Sequence, residues 1–136
     1  METFLEIRGK EFKVAGALRK SPLRPRAKLW RRGQKFGAKR RYAFKDSGVA
    51  VWIGGDAEAG LKTQMADVIQ FLREEAAEIR RLRSWPGVTR AYVRFGDLWN
   101  PAAMVGRVSI FPSEVLLRCG ELRLEIVLCQ YLTSDG

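Results

Sequence analysis

The chain has 136 residues and a mass of 15.5 kDa, the size of one ordinary domain spanning 1–136. Its hydrophobic fraction of 46% and charged fraction of 29% are those of a globular protein and too apolar for a disordered one. Net charge is +10, and there is no histidine. That excludes His-based nucleophile activation, His acid/base chemistry and His-ligated metals.

Phe4-Leu5-Glu6-Ile7-Arg8 alternates apolar and polar and stops at Gly9, so it predicts a strand. Phe12, Ala15 and Leu18 suit one face of a short helix, which Ser21-Pro22 ends. Leu23 to Arg41 reads as a long loop with a short strand near Lys28 to Arg31. Val49 to Ile53 is a strand stopped by Gly54-Gly55. Leu61, Met65, Val68, Ile69, Leu72, Ala76, Ile79 and Leu82 form one stripe of a helix about six turns long, and Pro86-Gly87 closes it. Val88 to Phe95 is a strand, Gly96 to Ala103 a loop and Met104 to Ile110 a strand with Val108 and Ile110 on one face and Arg107 and Ser109 on the other. A short helix opens at Pro112-Ser113, and Leu122 to Leu132 is the last strand, with Leu122, Leu124, Ile126 and Leu128 on its core face.

This order predicts an α+β fold. One long and two short helices should cover one face of a mostly antiparallel sheet, with a ferredoxin-like arrangement leading.

Charge is distributed unevenly along the chain. Residues 1–45 hold 15 basic and 3 acidic side chains, a net of +12, while the rest is near neutral. No acid occurs from Phe12 to Lys45. So one-sided a block calls for an anionic partner. Within the basic loop at about 22–45, the expected binding residues are Arg24, Arg26, Lys28, Trp30, Arg31, Arg32, Lys35, Lys39, Arg40 and Arg41. Cations interleaved with Trp30 and Phe36 can neutralise phosphates while the rings stack on bases. The same arginines can fork onto carboxylates of an acidic protein.

Secondary candidates are Arg90, Tyr92 and Arg94, on the strand face opposite the core, and Trp99 in the following loop. No pair of carboxylates suits acid/base work, no metal or cofactor is called for, and an enzyme is not expected. Cys119 and Cys129 sit in apolar company and read as buried small hydrophobes in a reducing, cytoplasmic compartment. No apolar run is long enough for a membrane span.

Several short motifs are similar to those of domain-of-unknown-function family 4279. They are Phe4 to Phe12, Ser21-Pro22-Leu23, Trp30-Arg31-Arg32-Gly33, Leu82 to Val88 and Phe111 to Leu116. The resemblance implies a small bacterial α+β domain without catalytic activity, some members sitting beside toxin genes as immunity-type proteins. The Arg24 to Arg41 loop is more basic than that family's pattern. The expected function is a non-catalytic, immunity-like or inhibitory binding protein that docks an acidic protein partner, such as a toxin, through its basic segment. The alternative is nucleic-acid binding through the same segment.

Overall fold

A computed structural model describes residues 2–54, 60–99 and 108–132. Its elements are β1 (Thr3–Gly9), α1 (Val14–Leu18), β2 (Ala27–Trp30), β3 (Lys35–Phe36), β4 (Tyr42–Ala43), β5 (Ser47–Gly54), α2 (Gly60–Glu74), α3 (Ala76–Arg83), β6 (Arg90–Trp99), α4 (Ser113–Glu121) and β7 (Glu125–Leu132). Five strands form one sheet in the order β2-β5-β1-β6-β7, and β3-β4 is a separate hairpin.

The α+β class is as expected, and the main sheet is mostly antiparallel. β1 runs antiparallel to β5 and β6, and β2 antiparallel to β5, while only β6 and β7 are parallel. The order differs from a ferredoxin-like sheet. A ferredoxin-like sheet keeps parallel strands at its centre, whereas here β1 is central with antiparallel neighbours and the parallel pair lies at an edge. The reason is connectivity: α4 makes the one crossover that returns a strand parallel to its neighbour.

Strand alternation sends Leu5 and Ile7, Val49, Val51 and Ile53, and Ala91, Val93 and Phe95 to one face, all buried. The helices cover this face. Met65, Val68, Leu72, Ile79 and Leu82 of the helical stripe are buried in the same core. The single six-turn helix is interrupted: Glu75, at φ −108° and ψ 15°, separates α2 from α3. A stripe spaced 4, 3, 3 beyond Leu72 drifts around the helix axis. The bend restores Ile79 and Leu82 to the core, where both are fully buried. Arg81 donates from Nη2 to the Ala17 carbonyl at 2.8 Å and lies over the Trp85 ring. It thereby satisfies a carbonyl in the last turn of α1. Helix α1 itself buries Val14, Ala17 and Leu18, whereas Ala15 points to solvent.

Two further expectations are corrected. The loop predicted from Gly96 begins as strand, because β6 continues to Trp99. Past the end of β1 it stays paired with β7, Gly96 to Trp99 facing Cys129 to Leu132, and on its other side Gly96 is met by Gln64 of α2, which has no solvent exposure. Its Nε2 donates to the Gly96 carbonyl at 2.7 Å, while its Oε1 accepts from the Gly96 N–H at 3.3 Å and from the Thr3 hydroxyl at 2.7 Å. Gln64→Ala is expected to orphan these groups at about 1–3 kcal/mol each, read as a lowered urea midpoint. The strand predicted over Met104 to Ile110 lies mostly outside the described residues. Its described end, 108–110, is not strand, and Val108 and Ile110 are exposed. The last strand starts at Glu125, since Arg123 adopts φ 57° in the turn after α4. Leu122 and Leu124 are buried as expected, whereas Ile126 and Leu128 are only half-buried. Among the described residues no helix is long and apolar enough to cross a membrane.

Candidate basic hairpin site

The acid-free segment is an ordered excursion from the edge of the sheet. After α1, a turn of 3-10 helix over Arg24–Arg26 leads into β2, which pairs with β5. The chain then leaves the sheet. The Gly33 N–H donates to the Phe44 carbonyl at 2.8 Å, and the Phe44 N–H to the Gln34 carbonyl at 3.0 Å. These bonds close a hairpin in which Lys35 faces Ala43 and Phe36 faces Tyr42. Every residue from Arg31 to Ala43 is exposed.

A row of rings runs along the hairpin. Trp30 and Phe44 stack with centroids 5.6 Å apart, Phe44 and Phe36 at 4.3 Å, and Phe36 meets Tyr42 at 5.8 Å. Exposure rises along the row, from 7% at Trp30 to 41% at Phe36 and 59% at Tyr42. The inner rings anchor the hairpin, and the outer two remain available. Alternation of Tyr42 and Phe44 was the sequence signal for this row; with strands only two residues long, it fell below recognition.

At the tip, Gly37 has φ 84°, Lys39 φ 57° and Arg40 φ 52°. Two successive non-glycine residues in the left-handed region cost about 1–2 kcal/mol each. This strained turn sets two exposed cations next to each other in the chain.

The named cations separate into two groups. Arg26 is half-buried, donating from Nη2 to the Ile53 carbonyl at 3.0 Å and lying 5.8 Å over Trp52. Arg32 pairs with Glu11 at 3.1 Å in an exposed contact, worth little in water. Arg24, Lys28, Arg31, Lys35, Lys39, Arg40 and Arg41 are exposed, with no ion pair among the described residues. Asp46, the first acid after the run, does not neutralise the hairpin. It turns inward, with Oδ2 3.0 Å from Arg8 Nε and Oδ1 accepting from Arg8 Nη2 and Trp30 Nε1. Arg8 also lies 5.1 Å over the Trp30 ring. Gly48 lies beneath Trp30, where any Cβ would collide with the indole. Trp30 is thus the anchor of the hairpin rather than part of its exposed surface.

The outer sheet face carries the secondary candidates. Arg90, Tyr92 and Arg94 do share that face, but their interactions are internal. Tyr92 is 5% exposed and accepts from Arg8 Nη1 at 3.1 Å. Burial and a hydrogen bond to Glu6 raise the Tyr92 pKa. Arg94 lies 3.7 Å from Glu6 and 5.3 Å over the Phe4 ring. Arg90 pairs with Glu125 at 3.1 Å and covers the Tyr92 ring at 4.7 Å. The face has its own counter-charges, and arginines cover the Tyr92 and Phe4 rings, whereas Trp52 on the same face is 41% exposed. Trp99 ends β6, and its side chain lies outside the described residues.

Both cysteines are unbridged; burial pushes the Cys119 thiol up to about 11, and Cys129 is half-buried. No family model, no curated protein and no solved structure matches this chain.

Proposed function

We propose that this chain is a non-catalytic nucleic-acid-binding protein that grips the phosphate backbone with the β3-β4 hairpin. The observation that carries this reading is the hairpin itself: an exposed two-stranded ribbon, free of acids, with Lys35, Lys39, Arg40 and Arg41 around the exposed rings of Phe36 and Tyr42. Cations neutralise phosphates by releasing counterions, and exposed rings stack on unpaired bases. Docking of an acidic protein, as an immunity-like module would do, rests on the same charges. It is the weaker reading, because the largest apolar anchor of the segment, Trp30, is buried and unavailable to a partner.

The test is a binding comparison. Replacing Arg31, Arg32, Arg40 and Arg41 by Glu leaves the core untouched, since all four are exposed. Fluorescence anisotropy with a single-stranded oligonucleotide should show affinity falling at least 100-fold, or about 2.7 kcal/mol, with circular dichroism unchanged. Poly-L-glutamate serves as the acidic-polypeptide probe. Tighter binding of wild type to poly-L-glutamate than to an oligonucleotide of equal charge would favour the protein-docking reading. Unchanged binding by the quadruple variant would refute both.

A further inference from the structure

The two edges of the main sheet are unlike. At one edge, β2 is four residues long, carries Lys28 and is flanked by Arg24, Pro25, Arg26, Arg31 and Arg32. Short length, proline and cations are the usual means by which a sheet edge is kept from pairing. At the other edge, β7 is eight residues long and reads Glu-Ile-Val-Leu-Cys-Gln-Tyr-Leu. It has no Lys, Arg or Pro, and its one charge, Glu125, is paired with Arg90 of the same chain. Among the described residues no strand pairs with its outer side, so about half of its peptide groups face outward. Ile126, Val127, Leu128 and Cys129 are all half-buried, on both faces alike, and Tyr131 and Leu132 are exposed. Apolar side chains stranded at partial burial on both faces of an edge strand match a strand missing its neighbour.

The helix above this edge has the same character. In α4, Val115 and Cys119 are buried, and Glu114, 4.0 Å from Arg73, marks the flank toward α2. At 100° per residue, Leu116 falls on the opposite flank, on the side of β7, where it is 53% exposed; Leu117 is 60% exposed.

We propose that β7 pairs antiparallel with β7 of a second copy of this chain, joining two five-stranded sheets into one of ten strands. Charge selects a second copy as the occupant. The β7 edge is nearly neutral, so two copies meet there without repulsion, while the strand order puts each basic hairpin at the far end of the joined sheet. The contact is its own complement, as a two-fold axis requires. Strand alternation keeps like faces together: the outward row of Val127, Cys129 and Tyr131 meets its symmetry mate, and Leu128 and Leu132 continue beneath the two Leu116 side chains. In such a pairing the two Cys129 residues lie opposite or diagonally adjacent. The inference is independent of what the hairpin binds.

Sedimentation equilibrium of the full chain should give about 31 kDa, twice 15.5 kDa. A short bismaleimide should couple the two chains through Cys129, with the product lost in Cys129→Ser; this arm needs no destabilising variant. Leu116→Glu with Leu132→Glu alters only exposed positions, brings like charges together in the joined sheet, and should halve the measured mass with circular dichroism unchanged. A wild-type mass of 15.5 kDa would overturn the proposal. So would a dimer that survives the double variant, or one in which Cys129 is not coupled.

Discussion

Gly87→Ala is expected to lower stability by about 2–6 kcal/mol, combining the cost of a left-handed residue with that of overpacking. Gly87 has φ 89° in the turn between α3 and β6. A Cβ there would strike the backbone of Glu11 and Phe12, and the Gly87 carbonyl in turn fills the space where Gly9 would carry a Cβ. Two backbone segments therefore meet at glycine on both sides, and neither can yield by rotating a side chain. The Thr89 N–H donates to the Arg8 carbonyl at 3.0 Å and fixes the same junction. Gly33→Ala is the control. Gly33 has a similar φ of 87° but nothing within 4 Å of its added Cβ, so only the conformational part, about 1–2 kcal/mol, should appear. Urea unfolding reads both. Equal costs at the two sites would mean that the Gly9–Gly87 approach is not rigid.

Leu72→Ala is expected to cost about 2–5 kcal/mol. Leu72 is 1% exposed at the centre of the stripe on α2, in the same core as Val68, Phe71 and the inward row of the sheet. Replacing its isobutyl group by methyl leaves a cavity that backbone held by five strands cannot collapse to fill. The midpoint of urea unfolding should fall while the slope stays constant. A loss below about 1 kcal/mol would contradict the packing of α2 on the sheet.

Elements that bury one regular face were legible in the sequence. Leu5 and Ile7 announced their face by period two and Leu61 to Leu82 by helical spacing, while Val49 to Ile53 was legible as a strand by its β-branched content. Features set by contacts distant in sequence were not legible. Gly96-Asp97 reads as a turn locally, yet pairing with β7 on one side and Gln64 of α2 on the other hold Gly96 in β6. Trp30 reads as a binding residue among cations, yet Arg8 and Asp46 draw it against Gly48. Alternation puts Arg90, Tyr92 and Arg94 on one face, but their partners Glu6 and Glu125 come from two other strands. The basic segment was legible as charge because counting acids requires no geometry. Its hairpin was hidden, because two-residue strands carry no period.

Titration of the chain with a single-stranded oligonucleotide, followed residue by residue through backbone amide chemical shifts, tests the central claim most directly. The account predicts that the largest shifts fall from Arg31 to Lys45, centred on Phe36 and Tyr42, and that they fade as salt is raised, with a log–log affinity slope of about −0.7 per phosphate neutralised. Shifts confined to the outer sheet face around Tyr92 and Arg94, or no shifts in the hairpin at low salt, would contradict it.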